Sequence, residues 1–131
     1  MREALQLREA PPPNTLVLVR FGRTTLADEK LRQTCEMTFA RWGLYGFSVF
    51  ELPGGSYENL GRLVPLLFER RWVLEAAGSQ LLEGGFPLLP TRDHPHWTVV
   101  LSDPTPAHFA RIRRHFSEPT LNPIWAGPRQ R

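Results

Sequence analysis

Trp97-Thr98-Val99-Val100-Leu101 is the strongest β-strand signal in the chain. β-Branched and aromatic side chains suit a pleated, covered surface better than a helix. A strand this apolar must be paired and buried, so the rest of the chain is read for its partners. Thr15–Val19 is a second continuous apolar run, the pattern of a central strand covered on both faces. Leu44–Phe50 is a third, in which alternation puts Phe47 and Val49 on one face and Ser48 and Phe50 on the other. Gly46 inside that run marks a bulge or a close backbone approach, and Ser48 needs a hydrogen-bond partner if buried. Trp72–Ala76 is a further strand, and Phe86–Pro90 is a short extended piece whose two prolines confine it to a sheet edge.

Between these runs the apolar spacing becomes helical. Thr25 is placed to cap a helix whose buried stripe is Leu31, Cys35, Phe39 and Trp42, with Gly43 as its left-handed stop. Ser56 caps a second helix, which Pro65 kinks or ends. Thr105 with Pro106 starts a last one, turning Phe109, Ile112 and Phe116 inward and His108, Arg111, Arg114 and His115 outward. Residues 78–85 make one or two helical turns. The sum is an α+β (or α/β) domain: one mixed sheet of four to five strands packed against about three helices.

The 131 residues suit one domain. Residues 1–13, ending in three prolines, read as an arm outside the core. Residues 14–117 form the domain, and 118–131 a basic, proline-containing tail, loosely ordered although Ile124 and Trp125 pack. With 41% hydrophobic and 22% charged residues, a packed core is expected rather than disorder. No apolar run approaches the roughly 18–20 residues that cross a bilayer, so no membrane partner is expected. Met1–Gln6 lacks the apolar core of a signal peptide, which gives a cytoplasmic expectation. Cys35 is the single cysteine, so no intrachain disulfide can form, and its place on the helical stripe makes it a core residue.

The net charge is +3, and Lys30 is the only lysine among sixteen basic residues. A GC-rich genome favours arginine codons. Guanidinium forks also suit phosphates and carboxylates, so a nucleic-acid partner is permitted without being required. Arg20 and Arg23 flank the C-terminal end of the first strand, a favoured ligand position in open sheets. Arg111, Arg113 and Arg114, with Arg129 and Arg131 behind them, form the densest basic cluster.

The polar turn before the strongest strand holds Arg92, Asp93, His94 and His96. If extended, it puts both histidines on one side. One would then act as general base and the other, or Arg92, would stabilise charge at a phosphate, cleaving RNA without a metal. A metal would need a third ligand beyond His-x-His, from Asp93 or Asp103, and none is expected, nor any cofactor.

His96-Trp97-Thr98-Val99 resembles half of the His-x-Thr-hydrophobic signature of two-histidine phosphoesterases, which implies phosphodiester chemistry; the second copy is missing, because His108-Phe109-Ala110 lacks the hydroxyl. The order Arg20, Tyr45 or Ser48, then Glu75 or Glu83 resembles the Arg–Ser/Tyr–Glu order of small ADP-ribosyltransferase toxins, which implies an NAD-dependent transfer. Over about residues 16–123 the chain resembles uncharacterised short proteins of high-GC bacteria carrying Tyr-Gly-x-Ser-Val-Phe and Pro-His-x-Thr-Val-Val-Leu blocks, here Tyr45–Phe50 and Pro95–Leu101. That resemblance implies one compact domain and brings no activity with it.

The leading expectation is a small RNA-acting or RNA-binding protein, such as the toxin ribonuclease of a toxin–antitoxin pair. Arg92, His94 and His96 would be its site, and RNA or a cognate protein its partner. The alternatives are a non-catalytic adaptor using the Arg-rich last helix and the NAD-dependent transferase.

Overall fold

A computed structural model describes residues 2–128. Its strands are β1 (Val17–Phe21), β2 (Tyr45–Glu51), β3 (Trp72–Ala77), β4 (Leu88–Leu89), β5 (His96–Leu101) and β6 (Thr120–Leu121). Its helices are α1 (Asp28–Trp42), α2 (Tyr57–Leu63), α3 (Gly78–Glu83) and α4 (Pro106–Arg113). The strands form one sheet in the order β4-β5-β2-β1-β3-β6.

The class is α+β, but the expected mixed sheet of four to five strands is corrected. The sheet has six strands, every pairing is antiparallel, and four helices accompany it. The direction follows from register. Leu18 lies opposite Glu51, which sets the start of β2 beyond the end of β1. The chain leaving β1 through α1 therefore re-enters the sheet from that same end and runs back. The sixth strand comes from the tail: Thr120 and Leu121 pair with Val73 and Trp72. Asn122 then donates from Nδ2 to the carbonyls of Leu67 and Arg70, at 2.7 and 2.8 Å. The stretch after Ser117 is thus anchored rather than loose. Arg129 and Arg131 lie outside the described residues.

Alternation along the strands builds two cores. On one face Leu18, Phe47, Val49, Trp97 and Val99 meet Leu31 and Cys35 of α1 and Phe109 and Ile112 of α4. On the other Val19 and Val73 meet Leu60 of α2 and Leu67 of the following 3-10 turn, Pro65–Glu69. Each large apolar side chain so buried contributes about 1.5–3 kcal/mol. Trp97 keeps its indole N–H satisfied by donating to Glu51 Oε1 at 3.1 Å.

Local chemistry sets the helix ends. Ser56 Oγ accepts from Asn59 N, Thr105 caps α4 with Pro106 behind it, and Gly43 closes α1 at φ 79°. α2 stops before Pro65. Thr25 does not cap α1: the N-cap is Ala27, and the Thr25 hydroxyl bonds the carbonyl of Gly22 instead. Two glycines are fixed by close approach. A Cβ on Gly46 would lie 2.6 Å from the Val99 carbonyl oxygen, and one on Gly78 would lie 2.0 Å from that of Pro13. Backbone cannot withdraw as a flexible side chain can, so Gly78→Ala is expected to cost about 3 kcal/mol by overpacking. A urea midpoint indistinguishable from wild type would refute it.

The proline-ended arm is extended and docked. Glu3 N donates to Arg41 O, Leu7 bridges Thr91, and Arg8 N donates to Pro90 O. It brings Arg8 against the turn that precedes β5.

Candidate functional site

The β2–β5 pairing sets Ser48 opposite Thr98 and Phe50 opposite His96. The two sequence blocks are thereby laid side by side, with Ser48, His96 and Thr98 on one face. His96 Nε2 lies 2.8 Å from Ser48 Oγ, and its Nδ1 lies 2.9 Å from Thr91 Oγ1 and 3.1 Å from Thr91 O. Thr91 Oγ1 reaches Thr98 Oγ1 at 2.7 Å.

Donor and acceptor roles follow from this geometry. Burial disfavours the imidazolium and lowers the His96 pKa; the Thr91 carbonyl opposes that, and the Arg8 charge adds to it. A neutral imidazole has one N–H, and the Thr91 carbonyl can only accept, so Nδ1 carries the proton. Nε2 is then an acceptor, and the Ser48 hydroxyl donates to it. A hydroxyl, a neutral imidazole and a group that orients the imidazole are therefore in line, the arrangement that activates an oxygen for proton removal.

Ser48 is among the residues lining a cavity of about 190 Å3, with Thr38, Arg41, Trp42, Phe47, Arg92 and Thr98. Both guanidinium groups stand over the Trp42 ring, Arg92 at 5.4 Å and Arg41 at 5.8 Å from its centroid. Arg92 adopts φ 55°, a left-handed conformation that few side-chain-bearing residues take up. Such departures persist where surrounding contacts hold them, and they gather at working sites. Behind the imidazole, Arg8 Nη1 donates to the carbonyls of Thr91 and His96, at 2.9 and 2.6 Å.

The sequence-predicted residues separate. Arg92 and His96 are brought together through Ser48 and Thr98. His94 is not with them, and the expected common side for the two histidines is corrected. Residues 94–95 form a turn rather than extended backbone, so alternation does not apply. His94 is half exposed and its Nδ1 lies 3.2 Å from Glu51 Oε1, the carboxylate that also receives Trp97. Among the described residues no three His, Cys, Asp or Glu side chains gather as a metal site.

Of the arginines assigned to nucleic acid, Arg20 reaches the site. It donates to Ser48 O at 2.8 Å and lies 5.2 Å over the Phe47 ring; burial lowers its pKa to about 10, which leaves it charged at neutral pH. Arg23 stands over Trp72 and Arg114 is exposed. Arg111 is tied to Gly84 O, and Arg113 to Asp28 and Leu26 O. For the transferase order, Arg20 and Ser48 meet, but Tyr45 stacks on Phe39, Glu75 accepts from the Tyr57 hydroxyl, and Glu83 is exposed. Burial pushes the Cys35 thiol up to about 11, an inert core group.

The sequence marked Ser48 only as a strand serine needing a partner and as a member of the transferase order, and gave no role to Thr91, Arg41 or Arg8. One signal was present: Ser48 and Thr98 are each a hydroxyl amid apolar strand residues, and two such residues on paired strands meet.

The lowered His96 pKa has a definite consequence for stability. Below the ordinary histidine value the unfolded chain takes a proton that the folded site refuses, so acid favours unfolding; above that value the contribution is fully present. Between about pH 7.5 and pH 5, wild type should lose more stability than His96→Gln, as read from urea midpoints. Equal losses would place the titration elsewhere.

No known protein-family model, curated protein or solved structure matches the chain.

Proposed function

We propose that the chain acts on RNA at the Ser48–His96–Thr91 relay. The observation that carries this is the 2.8 Å contact between Ser48 Oγ and a buried, neutral His96 Nε2, at a cavity bordered by two arginines. The cavity is smaller than the roughly 300–1,000 Å3 typical of whole-ligand pockets. That size suits one sugar–phosphate unit of a longer chain. Arg41 and Arg92 supply the forked donors that hold a phosphate.

In the proposed step a 2′-hydroxyl resting on Ser48 gives its proton to Ser48 Oγ as Ser48 passes its own to His96 Nε2. The 2′-oxygen bonds to the adjacent phosphorus, and the bond from phosphorus to the 5′-oxygen breaks. Water protonates the departing 5′-oxygen, and the hydroxide so formed takes the proton back from His96. The products are a 2′,3′-cyclic phosphate and a 5′-hydroxyl end. Arg41 and Arg92 offset the charge that grows on the phosphate oxygens. Such a ribonuclease fits the toxin of a toxin–antitoxin pair, whose expression slows growth.

Incubating purified protein with end-labelled single-stranded RNA tests the reading. Wild type should release fragments with cyclic-phosphate ends, and Ser48→Ala should do so far more slowly. Intact RNA with wild type, or equal cleavage by the variant, would overturn it.

A further inference from the structure

Ser48 borders a second opening as well. It measures about 220 Å3 and is bordered by Arg20, Phe21, Phe50, Leu66 and Arg70. Its chemistry differs from that of the first cavity, which offers cations beside hydroxyls. Here cations stand beside an aromatic pair.

Arg20 brings a charge whose donors are incompletely used. One terminal nitrogen bonds Ser48 O, while Nε is buried with no hydrogen-bond partner among the described residues. A buried donor left unpaired is costly, and Arg20 keeps its charge at the border of this opening. Arg70 is exposed, with its backbone carbonyl pinned by Asn122 Nδ2, so its side chain starts from a fixed point. Phe21 and Phe50 stack at 4.9 Å between centroids, with 12° between planes, and both are half buried. Phe50 also meets the His96 ring edge-on at 5.4 Å, which ties this pair to the relay. A cationic groove with aromatic faces is how proteins hold single-stranded nucleic acid: charge follows the phosphates and bases stack on rings.

We propose that this second opening seats the nucleotide adjoining the one in the first cavity, its base on the Phe21–Phe50 pair and its phosphate at Arg20 and Arg70. The substrate is therefore single-stranded RNA of at least two nucleotides, laid across Ser48, rather than a mononucleotide or a duplex. A duplex keeps its bases stacked on each other and cannot offer one to a protein ring. The inference rests on the reading that Ser48 faces the scissile linkage, and it adds the length and the strandedness of the substrate.

Competition against fluorescein-labelled hexauridylate, bound to Ser48→Ala protein and read by anisotropy, tests it with three competitors: uridine 5′-monophosphate, the 5′-phosphorylated uridine dinucleotide and a fully paired RNA hairpin with a short closed loop. The dinucleotide should compete about 10-fold better than the mononucleotide, the size of effect one stacked base gives. Arg70→Gln and Phe21→Leu should each remove most of that gain while leaving the mononucleotide unchanged, and the hairpin should do no better than the mononucleotide. A dinucleotide no better than the mononucleotide, or a gain that survives both substitutions, would overturn the second subsite and leave the Ser48 reading standing. Hexauridylate that fails to bind would remove both. Displacement by polyglutamate as effective as by the dinucleotide would overturn the subsite in favour of an acidic protein segment.

Discussion

Ser48→Ala is expected to slow RNA cleavage about 10²–10⁴-fold, the range a positioned proton acceptor contributes, and His96→Ala by a similar factor. The two act as one unit. Without the Ser48 hydroxyl, His96 Nε2 is left behind the strand surface with no proton to receive; without His96, the hydroxyl has no acceptor. The double variant should therefore be no slower than either single one, because residues of a relay are grossly non-additive. Independent contributions would instead multiply, and a double variant slower by the product of the two factors would contradict a shared relay. Both changes also remove a hydrogen bond from a buried group, at about 1–3 kcal/mol, so rates are to be compared at a temperature where circular dichroism shows each variant folded.

Phe47→Ala is expected to be among the most destabilising single substitutions in the sheet, at about 3–5 kcal/mol. Phe47 is 1% exposed, pairs with Val99 across β2–β5, and lies 6.1 Å from the Phe116 ring. It is also the floor beneath Arg20. Removing the ring leaves a cavity that β2 and β5 cannot close without breaking their ladder, and it takes away the surface on which a partly buried guanidinium rests. Domains of this size hold only about 5–15 kcal/mol in total, so the loss is a large share. Urea unfolding would register it as a lower midpoint at an unchanged slope. A change below about 1 kcal/mol would mean that the packing around Phe47 relaxes freely.

What the sequence reveals here divides by the range of the forces involved. Gly43, Ser56, Pro65 and Thr105 act through their own backbone or that of near neighbours, and each does what its chemistry requires. The alternation of Phe47 and Val49 against Ser48 and Phe50 likewise survives into the sheet, since it depends only on the pleat. Thr25 fails as a cap because its hydroxyl finds the Gly22 carbonyl first, a local competition that spacing does not decide. The count of strands fails at β6, whose two residues are too few to show a period. Strand direction depends on where loops re-enter the sheet, and no short window contains that.

The site follows the same division. His96 and Arg92 stand out as polar residues beside a strong strand. The link from His96 to Ser48 depends on a register that joins positions 48 residues apart in the chain. His94 is misread because the rule of alternate sides holds only for extended backbone. Arg8 is hidden in an arm that reads as a spacer, yet its guanidinium grips the carbonyls on both sides of the turn.

In the proposed reaction Ser48 and His96 take a proton from a 2′-hydroxyl. An oligouridylate carrying a single 2′-deoxyuridine tests this at one linkage while leaving charge, stacking and length unchanged. Wild-type protein should cut at the ribonucleotides on either side and leave the linkage 3′ to the deoxy unit intact. Cleavage of that linkage at the same rate as its neighbours would contradict the account.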